Sequence, residues 1–186
     1  MLDTPKILTS NIQDCTSCPL HKHATMKVVG VGNWNAILMM VGEAPGGQED
    51  EKGEPFVGAA GHLLDLLLES VNIKRKDIFI TNILRCRPPS NRTPLSSEIK
   101  QCIPFLYRTM EIIKPKIIVP MGNTATHALC GTKRPISELH GTIHKGLGYR
   151  TIIPIYHPAA IIYNNKLLDI AKKDMMVIKR VLSTRA

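Results

Sequence analysis

The apolar segment at 36–42 constrains the fold more than any other part of the chain. It reads Ala-Ile-Leu-Met-Met-Val-Gly, has the length of a strand, and runs into a glycine-rich, acidic turn at 43–50. Consecutive apolar positions are typical of a strand that is buried on both faces of a parallel sheet. Open parallel sheets bind ligands beyond the carboxyl ends of their strands, so the turn is a candidate binding loop. A plain surface turn is the simpler interpretation of its glycines.

Three more strands and a set of helices complete the pattern. Further strands are predicted from apolar, β-branched runs at 78–82, 116–122 and 150–156. Longer helices are predicted at 60–71, 95–114 and 165–182. Strands that alternate with helices imply right-handed crossovers. We therefore expect an α/β fold, a three-layer sandwich with a central four-stranded, mostly parallel sheet flanked by helices, in a single domain over 1–186.

Two of the predicted helices carry more detailed expectations. Five leucines between 63 and 68 predict that the helix at 60–71 is buried nearly all round. Thr93 followed by Pro94 predicts an N-cap and a first-turn proline for the helix at 95–114. Pro104 is expected to kink or restart that helix, because it lacks the N–H that the helix needs.

The charge of the chain points to a polyanionic partner. Lys and Arg number 24 against 15 Asp and Glu, a formal net charge of +9. Such an excess favours nucleic acid, and we expect Arg85, Arg87 and Arg92 to contact the DNA backbone. No apolar run reaches about 18 residues and the N-terminus does not resemble a secretory signal. We expect a cytoplasmic, nucleoid-associated protein without a membrane partner.

The cysteines predict a metal site. An intracellular chain with five cysteines favours metal ligands or buried thiols over disulfides. Cys15 and Cys18 form a Cys-x2-Cys pair followed by proline, and Cys86 and Cys102 are the candidates to complete a set of four. Cys130 lies in an apolar helical context and is expected in the core. The spacing leaves zinc and an iron-sulfur cluster both open.

Polar residues stand at the ends of separate predicted strands. Glu43 follows the first strand, Asn82 ends the second and His157 follows the fourth. Two of them have a simpler interpretation, since Asn82 could cap a turn and His157 could form a hydrogen bond with a loop. The carboxyl ends of parallel strands nevertheless meet at one edge, so all three side chains are predicted to converge there.

An ordered set of motifs resembles the family 4 uracil-DNA glycosylases over nearly the whole chain, from Cys15 to the final helix. The motifs are Gly42-Glu-Ala-Pro-Gly46 with Gln48-Glu-Asp50, Pro55-Phe-Val-Gly58, Thr81-Asn82 leading to Cys86-Arg-Pro-Pro-x-Asn-Arg-Thr-Pro94, and His157-Pro-Ala-Ala160. The resemblance implies hydrolysis of the N-glycosidic bond of deoxyuridine in DNA, which leaves an abasic site. The base must first be flipped out of the duplex.

The resemblance also implies roles for individual residues. The implied catalytic residues are Glu43, Asn82 and His157. The implied uracil-binding residues are Ala44, Glu49, Phe56, Asn82 and His157. The implied ligands of a 4Fe-4S cluster are Cys15, Cys18, Cys86 and Cys102.

Within this assignment, a neutral His157 and the backbone amide near Ala44 would face uracil O2. Asn82 would pair with N3 and O4, and Phe56 would stack on the base. Glu49 is the candidate for the group that crowds position 5 and so excludes thymine.

Two positions depart from related sequences. A related family with the motif Gly-Gln-Asp-Pro-Tyr-His carries an aspartate that activates water where this chain has Ala44, so Glu43 is expected to position the water. Family members often carry an arginine after His-Pro-Ala-Ala, and this chain has Ile161-Ile162-Tyr163 there. The resemblance therefore assigns no side chain to the space that the flipped base leaves.

Other functions remain as alternatives. The same fold could act on another deaminated base such as hypoxanthine, or the chain could be a non-catalytic iron-sulfur protein that binds DNA. A nucleotide-phosphate enzyme is disfavoured because Gly-x4-Gly-Lys-Ser/Thr is absent from the sequence. The expected partner is uracil-containing DNA, bound by a monomer; a sliding clamp is a further possible partner that no motif supports.

Overall fold

The computed structural model describes residues 4–146, 148 and 150–185. Its α-helices are α1 Pro5–Gln13, α2 Gly47–Lys52, α3 Ala59–Glu69, α4 Ser96–Ile113, α5 Asn123–Cys130, α6 Ile136–Leu139, α7 Pro158–Tyr163 and α8 Leu168–Ser183. Its strands are β1 Val31–Gly32, β2 Leu38–Gly42, β3 Phe79–Asn82, β4 Ile117–Pro120, β5 His144–Gly146 and β6 Arg150–Ile152. None of these helices combines the length and apolar character that crossing a membrane requires.

The strands form one sheet in the order β1-β3-β2-β4-β6-β5. The inner strands β3, β2, β4 and β6 are parallel, as predicted, and confirm the α/β class. The sheet is larger than expected, because β1 and β5 add antiparallel edges. These edge strands have two and three residues, too few to produce a recognisable alternation of apolar and polar positions.

Side chains on successive residues of β2 point to opposite faces of the sheet, and both faces are covered. Leu38 and Met40 join a core that includes residues of α3, α7 and α8. Met39 and Val41 join a second core with residues of α4 and α5. The continuous apolar run at 36–42 therefore reflects helices on both sides, which gives the three layers that the sequence predicts.

The helix at 60–71 is less completely buried than predicted. Leu64, Leu67 and Leu68 are buried in α3, but Leu66 is 63% exposed. The leucines occupy nearly every side of the helix, whereas only one side packs against the sheet. Burial all round is therefore wrong for this helix.

The start of α4 also differs from the prediction. The helix begins at Ser96 rather than after Thr93, and the Glu98 carboxylate accepts a hydrogen bond from the Leu95 N–H at 2.8 Å. The helix continues through Pro104, so a restart there is wrong, and the alternative, a kink, stays a prediction. Pro104 lies on the exposed face, where water can bind the carbonyl group left free by the missing N–H.

Candidate active site

A pocket of about 650 Å³ lies at the carboxyl ends of the inner strands. The residues predicted for catalysis and uracil binding all line it: Glu43, Ala44, Glu49, Phe56, Asn82 and His157. Segments after β2, β3, β4 and β6 form its walls, as expected for ligands of an open parallel sheet. The geometry thus brings together side chains that are separated by more than 100 residues in sequence.

Asn82 lines this pocket and carries a buried, unpaired acceptor. The residue ends β3, is 2% exposed, and its Oδ1 atom is buried without a hydrogen-bond partner among the described residues. A Cβ atom at Gly42 would overlap Asn82 Oδ1 and lie 2.7 Å from Cζ of Phe56. Glycine at 42 is therefore needed for Asn82 and Phe56 to come together. A buried acceptor without a partner is costly, which makes it a strong indication of a ligand that donates.

His157 presents a hydrogen-bond donor. It caps α7, and its Nδ1 atom accepts a hydrogen bond from the Ala159 N–H at 3.1 Å. Burial lowers the pKa of His157 from 6.5 to about 4, while the charge of Glu49 acts in the opposite direction. The imidazole is therefore neutral at pH 7. Because Nδ1 accepts, the hydrogen of the neutral ring lies on Nε2.

The Glu43 carboxylate is held by a hydrogen bond from α5. Its Oε2 atom accepts a hydrogen bond from the hydroxyl of Thr124, at 2.5 Å, in the first turn of α5. This contact fixes the direction of the carboxylate. Thr124 did not figure in the sequence prediction, although it follows the end of β4 closely and the rule that selects Asn82 would also select it.

Glu49 connects two loops that line the pocket, the turn that follows β2 and the loop at 55–58. Its Oε1 atom accepts hydrogen bonds from the N–H groups of Val57, at 3.0 Å, and Gly58, at 2.9 Å. Its Oε2 atom accepts one from the Gly46 N–H at 3.2 Å. The carboxylate is thus fixed by backbone donors. Exclusion of a methyl group by Glu49 stays a prediction.

Phe56 lies between Asn82 and His157. Its ring centroid is 5.6 Å from that of His157, with the two planes tilted by 32°. The backbone of Phe56 has a φ of 55°, a left-handed conformation that is rare for a residue with a side chain. Such strain persists only where the surroundings hold it in place, and it is often found at functional sites.

Arg85 does not reach the surface. Its side chain is 1% exposed and donates hydrogen bonds to Val29 O at 2.8 Å, to Thr109 Oγ1 at 3.2 Å and to the hydroxyl of Thr81. The prediction that Arg85 contacts DNA is therefore wrong, because the guanidinium lies inside the protein. Burial lowers the pKa of Arg85 to about 10, which leaves it charged at pH 7.

Arg87 and Arg92 remain at the surface beside the pocket. The Arg87 Nε atom donates to Asn91 Oδ1 at 2.7 Å. The guanidinium of Arg92 forms two hydrogen bonds with the Glu98 carboxylate, at 2.9 and 2.5 Å, and its side chain is 38% exposed. Arg92 also lines the pocket. DNA contacts by these two residues stay predictions.

The predicted metal ligands surround a second pocket. Its lining includes Cys15, Cys18, Cys86 and Cys102, together with apolar side chains such as Leu20 and Phe105. Cys102 Sγ accepts a hydrogen bond from the Arg85 N–H at 3.3 Å. Burial, together with the nearby Cys102 and Cys18, raises the pKa of the Cys86 thiol to about 12. Within the described ranges, no group of three or more His, Cys, Asp or Glu side chains is positioned to hold a metal ion.

Cys130 lies apart from this pocket, partly buried against the core that includes residues of α4 and α5.

Tyr163 is the last residue of α7 and lines the active-site pocket, yet its side chain is 91% exposed. Ile161, two residues earlier, is buried and anchors the helix. Sequence reasoning gave Tyr163 no role, because exposure cannot be read from a three-residue apolar run.

Comparisons with known proteins agree with the motifs. The family model described as the uracil DNA glycosylase superfamily matches residues 29–180. A Type-4 uracil-DNA glycosylase of Archaeoglobus fulgidus is 42% identical over 178 residues, covering 92% of this chain and 89% of that protein. One of Thermotoga maritima is 42% identical, with 91% and 90% covered. One of Saccharolobus solfataricus is 38% identical, with 99% and 89% covered.

The burial of His157 predicts an unusual titration. The signals of its imidazole should stay those of the neutral ring from about pH 8 down to about pH 5, because protonation begins only near the lowered pKa. Histidine NMR as a function of pH measures this, with the signal assigned by its loss in His157→Gln. A midpoint near 6.5 would show that the imidazole is not desolvated.

Proposed function

The chain belongs to the uracil DNA glycosylase superfamily, and from that premise we propose that it removes uracil from DNA. The uracil nucleotide is flipped into the pocket, at a cost of a few kcal/mol in lost stacking and pairing. The bond between N1 of uracil and C1′ of deoxyribose breaks, and its electron pair leaves with the base. Water adds to C1′, and the proton that it releases neutralises the uracil anion, so the products are free uracil and an abasic site.

The observation that best supports this proposal is the buried, unpaired Oδ1 atom of Asn82. Uracil offers an N3–H that Oδ1 can accept and an O4 carbonyl that the Asn82 amide can bind. Cytosine has an acceptor at N3 and an amino group at position 4, so both contacts would be lost with the Asn82 carboxamide in the orientation that the structure shows. A site built on such hydrogen bonds rejects analogues that leave its buried groups unpaired. Hypoxanthine presents a similar N–H and carbonyl pair and is the second candidate base.

Bond cleavage places negative charge on the departing base, chiefly on N1 and on the carbonyl oxygens O2 and O4. We propose that the Nε2–H of His157 donates to O2, together with the backbone amide near Ala44. A neutral donor fixed in a buried site stabilises this charge without reorganisation, which is the usual basis of such catalysis. The hydrogen bond from Ala159 to Nδ1 supports the required tautomer.

The sugar becomes cation-like as the base departs, and carboxylates nearby favour that charge. We propose that Glu43, oriented by Thr124, positions the attacking water. Ala44 stands where a related family carries an aspartate, so a positioning role for Glu43 is preferred to that of a general base. Phe56 would stack on the base, and Glu49 would crowd position 5.

We further propose that Cys15, Cys18, Cys86 and Cys102 hold a 4Fe-4S cluster. In a 4Fe-4S cluster each of four thiolates binds a different iron ion, so the four sulfurs lie around the cluster and do not meet at one ion. The four cysteines here line a single apolar pocket, which supports a cluster over a single metal ion. The positive irons would also favour thiolates that burial disfavours. The cluster would be structural, tying the N-terminal segment to the loop that carries Arg87 and Arg92.

The remaining elements of the proposal concern organisation. We propose that 1–186 acts as one domain and as a monomer, in the cytoplasm and on DNA at the nucleoid. The packing of the first helix, α1, on α4 and of the last, α8, on α3 supports a single unit. Arg87 and Arg92 would contact the DNA backbone beside the pocket.

The proposed reaction is tested with oligonucleotides that carry U opposite G, U opposite A, T opposite G, hypoxanthine, or U in a single strand. Alkaline strand cleavage should follow incubation with uracil substrates and not with T opposite G. Asn82→Ala and His157→Ala should each lose about 10²-fold or more in rate, as when one transition-state donor is removed. His62→Ala, an exposed histidine, is the control. Cleavage of hypoxanthine alone would transfer the proposal to the second candidate.

The cluster is tested by metal analysis. The purified protein should contain about four iron atoms per chain and absorb visible light, and Cys86→Ser or Cys102→Ser should lose both. Cys130→Ser should keep its iron, because Cys130 does not line the cysteine pocket. Stoichiometric zinc without iron would overturn the assignment.

Tyr163 is proposed to enter the space that the flipped base leaves, since it is an exposed ring at the pocket mouth on an anchored helix. Tyr163→Ala should lower activity on duplex U substrates about tenfold and leave single-stranded U nearly unaffected, while Tyr163→Phe keeps both. Tyr107→Ala is the matched control on α4. Equal losses on duplex and single strand would contradict this role.

A further inference from the structure

The loop at 55–58, which carries Phe56, is held by opposite charges from its two sides. Glu49 accepts hydrogen bonds from the N–H groups of Val57 and Gly58. Arg75 donates from Nη2 to the carbonyl oxygens of Pro55, at 2.8 Å, and Phe56, at 3.0 Å. A carboxylate therefore binds the donors of this loop and a guanidinium binds its acceptors. Charge-assisted hydrogen bonds of this kind are stronger than neutral ones.

Arg75 is itself oriented by α3. Its Nη1 atom donates to Asp65 Oδ1 at 2.7 Å, and the two side chains are 30% and 38% exposed. An ion pair at that exposure contributes little free energy of its own. Its effect is geometric, because it directs the other side of the planar guanidinium at the loop carbonyls.

The contact falls on the strained residue of the pocket. Phe56 has its φ at 55°, and the carbonyl that Arg75 binds is that of Phe56. The same carbonyl packs so closely on α3 that a Cβ atom at Gly61 would overlap it. The backbone of this loop is thus held against α3 by the guanidinium of Arg75 and by the close approach that Gly61 allows. The ring of Phe56 then lies beside the imidazole of His157.

We propose that Arg75, oriented by Asp65, is a positioning residue that keeps Phe56 against His157 and thereby keeps the pocket formed before the base arrives. The consequence for catalysis rests on the function proposed above, whereas the effect on the surroundings of His157 does not. Arg75 touches neither substrate nor reacting atoms in this role. It acts through the backbone of the loop at 55–58.

Two readouts test the inference: the pKa of His157 by histidine NMR, and kcat/KM on a single-stranded uracil oligonucleotide. In Arg75→Met the loop loses its cation, water reaches the imidazole, and the pKa should rise by about one unit towards 6.5. kcat/KM should fall about tenfold to a hundredfold at pH 7, as expected for a misplaced active-site group. Arg75→Lys keeps the positive charge but lacks the planar guanidinium, so its pKa of His157 and its kcat/KM should lie between those of the unmodified protein and those of Arg75→Met.

Charge alone could also move this pKa, and two variants separate the causes. Lys76→Met removes the same charge from the neighbouring exposed position and should change neither readout. Asp65→Asn removes a negative charge, which by electrostatics alone would lower the pKa of His157, whereas a loosened loop raises it. The charged side chains that line the pocket itself, Glu43, Glu49 and Arg92, are unchanged in every variant.

A raised pKa in both Arg75→Met and Asp65→Asn, with no change in Lys76→Met, supports the inference. An unaltered pKa in Arg75→Met, or a lowered one in Asp65→Asn, overturns it. If Arg75→Met does not fold, Asp65→Asn and Arg75→Lys decide the question. If the unmodified protein releases no uracil, the proposed function fails, and the NMR result still decides the role of Arg75.

Discussion

The parallel pairing of β2 with β3 is the constraint on which the rest of the site depends. It sets Gly42 opposite Asn82, so the binding loop after β2 and the carboxamide at the end of β3 start from the same level. The parallel pairing of β2 with β4 brings the segment that carries Thr124 to the same edge. A register shift of one residue would turn Asn82 to the other face of the sheet. Apolar packing on both faces of the sheet therefore determines where the chemistry occurs.

The polar side chains of the pocket share a common design. Three of them are held by hydrogen bonds from the scaffold: Glu43 is bound by Thr124, Glu49 by backbone N–H groups, and His157 by the N–H of Ala159. Groups held in this way need little rearrangement when charge develops on a ligand. Their attachment points lie on different elements, so the site's geometry follows from the packing of the whole sheet and its helices.

Sequence reasoning worked where a local pattern and the topology act together. The strand ends, and with them the convergence of Asn82 and His157, follow from apolar runs that stop at polar residues. Arg85 shows the limit: beside a cysteine in a proline-rich loop it has the pattern of a surface charge. Thr81, one of its partners, is only four residues away, but Val29 O and Thr109 are 56 and 24 residues away, so no local signal reveals the buried site as a whole.

The start of α4 shows a different limit. Thr93 and Glu98 both satisfy rules for the beginning of a helix, and only the structure shows that the carboxylate of Glu98 binds both the Leu95 N–H and Arg92. Arg75 is similar, since its carbonyl partners belong to a loop 19 and 20 residues earlier. At α4 two local rules compete, whereas the partners of Arg75 are distant in sequence, so in both cases the sequence alone does not identify the contact that forms.

The two antiparallel edge strands have a consequence for how copies of this protein meet. An open sheet ends in unpaired N–H and C=O groups that can template a strand from another molecule. Here the outermost strands are two and three residues long, so each end offers only a short row of such groups. Copies crowded along the same nucleic acid would find little edge on which to extend an intermolecular sheet.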